Sequence, residues 1–259
     1  MRNLFSTEGL FALQNLASVP SVLVFDLDGT LAPLVPHFAD AKVPLRMTGQ
    51  LMSLSRLWPI AVVTGRSVKD AQGRLGFTPD YLFGNHGAER AGQPALASFS
   101  DGLDAFRRFV HPHLKAMTAQ KIILEDKEMS LALHYRQADN PASTCAWLHA
   151  LITTGPADVV VTHGHNVINI LQLHAPDKGH ALQRIMQDSQ AVCALVVGDD
   201  DNDESAFAMA PELAVTVRIG AATTKSCARF RLNYQHQVER LLDALLEKTE
   251  LVTMLPECK

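Results

Sequence analysis

The sequence predicts an α/β protein: a doubly wound, mostly parallel sheet interrupted by a smaller α/β domain with an antiparallel sheet. Three observations carry this. Continuous apolar runs alternate with helical patterns at both ends of the chain, as in β-α-β units whose strands are buried on both faces. The middle of the chain alternates polar with apolar residues in hairpin-like pairs, as in an antiparallel sheet with one exposed face. The apolar runs of the outer parts end in acids, a hydroxyl or glycine, and open α/β sheets bind ligands at such strand ends.

In chain order, residues 1–20 read as a short helical or irregular lead-in, with no evident reason to be well ordered. Residues 22–25, Val-Leu-Val-Phe, form the first buried strand, which ends at Asp26 and Asp28 and is broken by Gly29. Residues 31–44 are loop-like, with Pro33, Pro36 and Pro44. Leu45, Leu51, Leu54 and Leu57 recur at roughly helical spacing. Residues 59–63 are a second buried strand, ending at Thr64-Gly65-Arg66-Ser67, and residues 80–83 a third, followed by Gly84-Asn85-His86-Gly87-Ala88-Glu89-Arg90. After about Gly92 the pattern changes. A helix is predicted over 101–117, strands over 121–125 and 129–136, a helix over 141–153, and strands over 157–162 and 166–171. Ser130, Ala132, His134 and Arg136 share one face of their strand; Leu131, Leu133 and Tyr135 share the other. From Asp177 the first pattern returns: a helix over 178–187, a strand over 191–197 ending in Gly198-Asp199-Asp200-Asp201-Asn202-Asp203-Glu204, a helix over 205–209, a strand over 213–217 and a closing amphipathic helix over 235–248. The expected division is a core of residues 1–100 and 177–259 and an inserted domain of residues 101–176, hinged near 92–103 and 173–177.

Composition narrows the function classes. The chain has 259 residues, 47% hydrophobic and 19% charged, which suits a sizeable core rather than disorder. A net charge of −4 argues against attraction to nucleic acid or a membrane surface. No apolar run reaches the length of a membrane span, and the N-terminus lacks a signal-peptide core. Cys145, Cys193, Cys227 and Cys258 are far apart and form no CxxC, as expected of thiols in a reducing compartment. The expectation is a cytoplasmic protein without nucleic-acid or membrane partners.

The chemistry gathers at three strand ends. Asp26 and Asp28 are two close carboxylates that repel each other and call for a cation; Mg²⁺, a hard ion that takes oxygen ligands and phosphate, suits them. Turn chemistry is the competing cause there. Thr64 is a hydroxyl at a strand end or a helix N-cap. Asp199, Asp200 and Asp203 are a further acid cluster or ordinary caps. Lys178 opens the helix before them and is either solvated or a buried cation. Parallel strands deliver all of these to one rim, and a rim of carboxylates, a hydroxyl and a lysine is by composition a metal and phosphate site.

Taken together, DLDGTL, VVTGR, the lysine of DKG and GDDDNDE resemble, in order, the four motifs of the haloacid-dehalogenase superfamily of phosphatases. GNHGAER, the EDK of ILEDKEMSLALHYR and the GDD-x-x-DE pattern are similar to those of the trehalose-6-phosphate phosphatase family, so the resemblance covers nearly the whole chain. It implies a Rossmann-like core with an inserted cap and a Mg²⁺-dependent phosphomonoesterase producing trehalose and phosphate. It further implies Asp26 as nucleophile and Asp28 as general acid and base, whose backbone carbonyl also binds Mg²⁺. Asp26 and Asp199 would supply metal carboxylates, with Asp200 and Asp203 completing the shell. Thr64 would bond a phosphoryl oxygen, Lys178 would neutralise charge, and the amides of Gly29 and Thr30 would cradle phosphate. Asn85, His86 and Glu89 would line the cleft, Arg66 beside the second motif would bind substrate or be structural, and Glu125, Lys127, His134 and Arg136 of the inserted domain would meet the sugar. A trehalose-phosphate synthase would be the functional partner.

One position departs from the family. Asn169 stands where a glutamate is expected; an amide bonds hydroxyls but lacks the stronger charge-assisted bond. Two other readings stand beside the first: a phosphatase of the same fold acting on sucrose or glucosylglycerol phosphate, and a non-catalytic sensor of a sugar phosphate.

Overall fold

The computed structural model describes residues 1–93, 101–209 and 214–253, with the side chains of the last helix described to residue 247. The first part contains β1 (Arg2–Asn3), α1 (Thr7–Leu16), β2 (Ser21–Phe25), α2 (Leu45–Leu54), β3 (Ile60–Val63), α3 (Val68–Leu75), β4 (Tyr81–Gly84) and β5 (Glu89–Arg90). The middle contains α4 (Asp101–Val110), α5 (Leu114–Ala119), β6 (Ile123–Asp126), β7 (Ser130–His134), α6 (Pro141–Ile152), β8 (Val159–Gly164) and β9 (Val167–Gln172). The last part contains α7 (Lys178–Ser189), β10 (Cys193–Gly198), α8 (Glu204–Met209), β11 (Ala214–Ile219), β12 (Phe230–Leu232) and α9 (Gln237–Thr253). The chain divides into two compact units, one of residues up to Ala91 and from Asp177 onward, the other Gly92–Pro176.

Among the described residues, the first unit holds an eight-stranded sheet in the order β1-β12-β11-β10-β2-β3-β4-β5. Its pairings are parallel except that of β4 with β5. β2 lies in the middle, with Phe25 opposite Val197 of β10 and Val62 of β3. Every residue of β2 is buried because helices cover both faces. Leu23, Phe25, Ile60, Val62 and Val197 pack with Leu13, Leu51 and Leu241 on one side. Val22, Val24, Ala61, Val63 and Val196 pack with Leu182, Ile185 and Phe207 on the other. Each fully buried leucine or phenylalanine here contributes about 2 kcal/mol.

The lead-in is part of this core rather than a loose segment. Leu4, Leu13 and Leu16 are fully buried, and β1 pairs with β12 at the edge of the sheet. α2 buries a different stripe from the one the leucines suggest. Met47, Leu51 and Leu54 point inward, whereas Leu45 is 90% exposed; the helix ends at Leu54, so Leu57 lies beyond it, also exposed. The single helix expected over 101–117 is two, because Pro112 lacks a donor N–H and sits in a tight turn, His111–His113, between α4 and α5. The expected hinge near 92–103 lies in part outside the described residues.

The second unit has a four-stranded antiparallel sheet in the order β6-β7-β9-β8. Leu131, Leu133, Ile168 and Ile170 pack with Leu103, Phe106 and Leu148. The face expected to be exposed is not so at its centre, since Ser130 and Ala132 are buried as fully as the leucines between them. β7 is an interior strand, and the small Ala132 side chain is registered between Glu125 and Asn169.

Candidate functional site

The parallel register brings the ends of β2 and β10 together, and the Asp26 amide donates to the Val197 carbonyl at 2.9 Å. Asp26 therefore leaves the sheet beside Gly198 and Asp199. Gly29, with φ 80°, makes the next turn possible: a Cβ there would fall 2.1 Å from an Asp199 carboxylate oxygen. The turn is closed by its own backbone. The Gly29 amide donates to Ala32 O at 2.8 Å and the Thr30 amide to Leu27 O at 3.4 Å. These two amides, expected to cradle phosphate, are thus spent within the turn. The Thr30 hydroxyl lies 3.5 Å from Asp199 Oδ1, and Gln235 Nε2 donates to Thr30 O at 2.8 Å.

Lys178 is the first residue of α7, held there by the Asp177 N-cap, which accepts from His180 N at 3.0 Å. Its side chain is 3% exposed, and its Nζ lies 2.9 Å from Asp26 Oδ1 and 2.7 Å from Asp203 Oδ1. Asp26, Asp199 and Asp203 each offer an oxygen within 4.8 Å of the others. The second oxygen of Asp203 accepts from the amides of Asp199 and Asp200, each at 3.0 Å, and this curls the loop. Asp200 is not in the cluster; its carboxylate accepts from Asp201 N at 2.7 Å and caps the short turn Asp201–Asp203.

Burial, joined by the charges of Asp203 and Asp28, pushes the Asp26 carboxyl up to about 7 against the pull of Lys178. Asp199 lies well above the usual carboxylate range through burial and the charges of Asp26, Asp203 and Asp200. Burial opposes the charge on Lys178, but Asp203 and Asp26 outweigh it and the ammonium is retained more firmly than usual. Two buried carboxylates and the half-buried Asp199 against one ammonium leave negative charge uncompensated. Hard oxygen donors in that excess fit a hard divalent cation.

Thr64 is buried and receives the Arg66 amide on its hydroxyl at 3.2 Å. The N-cap of α3 is Ser67, which accepts from Asp70 N at 3.3 Å, so Thr64 is not the cap. Arg66, 6% exposed, spends its guanidinium on protein. Nε and Nη2 meet the two oxygens of Asp28 at 2.6 and 2.7 Å, Nη1 meets Asp70 Oδ2 at 2.7 Å, and Nη2 also meets Phe38 O at 2.7 Å. Asp70 is held in turn by Arg74 through Nε at 2.8 Å and Nη2 at 2.7 Å.

After β4 the chain takes three successive left-handed conformations, at Asn85 (φ 48°), His86 (φ 60°) and Gly87 (φ 114°). Left-handed non-glycine residues are uncommon and cost energy, so the surroundings hold them. His86 lies against Gly65, where a Cβ would be 2.5 Å from its ring, and Gly87 approaches the Asp177 carbonyl just as closely. The loop therefore packs against the ends of both β3 and the turn before α7. Glu89 anchors it, with Oε2 accepting from Asn85 Nδ2 at 2.8 Å and Val68 N at 2.9 Å.

In the second unit Glu125 Oε2 lies 2.8 Å from His134 Nε2 and 3.7 Å from Lys127 Nζ. His134 thus shares a sheet face with Glu125 and Lys127. Arg136 donates to His165 O at 3.1 Å. Asn169 is 4% exposed on β9, registered between Ala132 and Thr162.

The sequence reading passed over Asp70, Gln235 and Arg218. Asp70 had a signal, the Arg-x-x-x-Asp-x-x-x-Arg spacing from Arg66 to Arg74, which suits a helix face. Arg218 had one too, a charge in an otherwise uncharged strand, Ala-Val-Thr-Val-Arg-Ile. Gln235 had none.

Comparison with known proteins agrees with this geometry. A family model described as trehalose-phosphatase matches residues 24–235. The chain is 32% identical over 212 residues to a trehalose-6-phosphate phosphatase of Escherichia coli, covering 79% of each. It is 27% identical over 237 residues to a bifunctional trehalose-6-phosphate synthase/phosphatase of Thermoproteus tenax, covering 86% of this chain and 32% of the other. The C-terminal domain of a C. albicans trehalose-6-phosphate phosphatase shares the fold, with a TM-score of 0.80, 24% identity, and coverage of 92% of this chain and 96% of that one.

Proposed function

The chain belongs to the trehalose-phosphatase family, and we propose that it hydrolyses trehalose 6-phosphate to trehalose and phosphate through an aspartyl-phosphate on Asp26. The observation that carries this reading is the buried Lys178 ammonium between Asp26 and Asp203, with Asp199 completing a carboxylate cluster. An ordinary surface cluster of acids would be solvated; this one holds excess negative charge out of water.

Asp26, Asp199 and Asp203 would hold Mg²⁺, which when bound supplies positive charge to the phosphoryl oxygens and favours ionised carboxylates. A carboxylate oxygen of Asp26 forms the new bond to phosphorus as the bond from phosphorus to the sugar oxygen breaks. Asp28 gives that oxygen its proton. Asp28 then takes a proton from the water that attacks the aspartyl-phosphate, releasing phosphate and restoring Asp26. Lys178 keeps Asp26 oriented and offsets charge on the transferring group. The Thr64 hydroxyl donates to a phosphoryl oxygen. Arg66 acts on Asp28 rather than on the substrate, and Glu89 supports the loop of Asn85 and His86. Glu125, Lys127 and His134, with Arg136 and Asn169, offer charge-assisted and amide bonds to sugar hydroxyls.

The test is phosphate release with and without Mg²⁺ from trehalose 6-phosphate, sucrose 6-phosphate and glucose 6-phosphate. Mg²⁺-dependent release with trehalose 6-phosphate favoured is the expected result. Turnover of another sugar phosphate instead would keep Asp26 and overturn the substrate. The Asn169 amide, in place of the family's glutamate, is what favours that second reading. No release from any of the three would favour a sugar-phosphate sensor. The bifunctional relative suggests the further link: a trehalose-phosphate synthase would supply the substrate, in the cytoplasm.

A further inference from the structure

The loop that carries Asp199 and Asp203 faces an electrostatic difficulty. Residues 199–204 include five acids, and like charges this close repel one another. Lys178 answers at Asp203. A second cation answers from the other side. Arg218 lies on β11 opposite Gly198, the residue from which the loop departs. It is 6% exposed. Its Nη2 lies 2.9 Å from Asp201 Oδ1 and its Nη1 donates to Glu204 Oε1. The other oxygen of Glu204 accepts from Cys227 N at 2.7 Å, which ties the start of α8 to the chain beyond β11.

We propose that Arg218 is a positioning residue for divalent-cation binding: its fork spans Asp201 and Glu204 and fixes the curl that presents Asp199 and Asp203 to the ion. The inference rests on reading the Asp26, Asp199 and Asp203 cluster as the metal site. The two arms differ in weight. Asp201 is 71% exposed at its side chain, so that arm is screened and weak, whereas Glu204 is 26% exposed. A planar guanidinium reaches both at once; an ammonium is a single point charge.

Charge and geometry make opposite predictions here. By Coulomb repulsion alone, a buried cation near the metal site weakens Mg²⁺ binding, and removing it tightens binding. By geometry, removing it releases the loop and weakens binding. Arg218→Lys separates the two, because it keeps the charge and loses the fork; Arg218→Gln loses both.

The experiment titrates Mg²⁺ without substrate into the full chain and both variants, followed by calorimetry and by the rise in melting temperature. Melting in EDTA reports folding separately, and Arg218→Lys is expected to melt within a few degrees of the wild type there. The expected result is about tenfold weaker Mg²⁺ binding in Arg218→Lys, as for other residues that orient metal ligands, and binding weaker than wild type in Arg218→Gln too, offset in part by the lost repulsion. Unchanged affinity in Arg218→Lys, or tighter binding in Arg218→Gln, would overturn the role of Arg218 alone. Absence of Mg²⁺ binding by the wild type would overturn the metal reading of the acid cluster and this inference with it. Should Arg218→Gln fail to fold, the comparison with Arg218→Lys still decides.

Discussion

Arg66 grips both oxygens of Asp28, with Nε 2.6 Å from Oδ2 and Nη2 2.7 Å from Oδ1. The two residues end neighbouring strands, 38 positions apart in sequence. This parallel fork is the strongest geometry available to an arginine and a carboxylate, and it fixes the group proposed to move protons.

A consequence is a dependence on the leaving group. Arg66→Lys keeps a charge but loses the fork, so Asp28 is less well placed to protonate a sugar alkoxide. The kcat for trehalose 6-phosphate should fall about a hundredfold, the scale of general acid catalysis. With p-nitrophenyl phosphate, whose leaving group departs without a proton, the fall should be much smaller. Equal losses on both substrates would show that Arg66 does not act through proton transfer.

The buried acids make stability depend on pH in a particular direction. With its carboxyl pushed up to about 7 against an ordinary 3.8, Asp26 binds more protons when folded than when unfolded. Stability from this group is fully present below the unfolded value and lost as pH rises through the folded one. The melting temperature in EDTA should therefore fall between pH 5 and pH 7, and saturating Mg²⁺ should flatten or reverse that fall. A Mg²⁺-free melting temperature that rises over this interval would contradict the charge balance derived for the site.

Asp70 gives the opposite sign. Burial pushes its carboxyl up, but hydrogen bonds from Arg74 and Arg66 outweigh this and hold it below the usual value. Its stabilisation is present above the unfolded value of 3.8 and is lost as pH falls through the lower folded value. Asp70→Asn should cost about 1–2 kcal/mol at pH 7, given charged hydrogen bonds at a partly exposed site. The difference from wild type should close below pH 3.8, as measured by urea unfolding at each pH.

Asn169 tests the sugar side. Asn169→Glu restores the acid expected of the family on a buried strand. It should change the KM for trehalose 6-phosphate at least threefold, while kcat/KM for p-nitrophenyl phosphate stays within twofold; a charge-assisted bond to a hydroxyl is worth about 1.5–3 kcal/mol. Unchanged KM values for every sugar phosphate tested would remove Asn169 from the specificity site.

Much of the molecule was legible in the residues themselves. Val22 to Phe25 and the runs at β3 and β10 are apolar on both faces, which only a sheet covered by helices accommodates. Their ends carry Asp26, Thr64 and Asp199, and parallel strands must deliver those ends to one rim. Alternation also marks β7 as a strand, though not the burial of Ser130 and Ala132 on its second face. These are local properties, and a single chain segment expresses them. What only the tertiary structure decided are the pairings between distant segments. The two-residue β1 and the three-residue β12 are too short to show a pattern and exist through each other and β11. The left-handed run at Asn85, His86 and Gly87 is imposed by close approach to Gly65 and Asp177. Lys178 reads as an ordinary helix opener until burial places it between Asp26 and Asp203. The i,i+4 spacing points Arg66 to Asp70, but nothing local shows that Arg66 will also meet Asp28, or that Arg218 will meet Asp201 and Glu204. The partner of a buried charge is set by which strand ends adjoin, and that is a property of the assembled sheet.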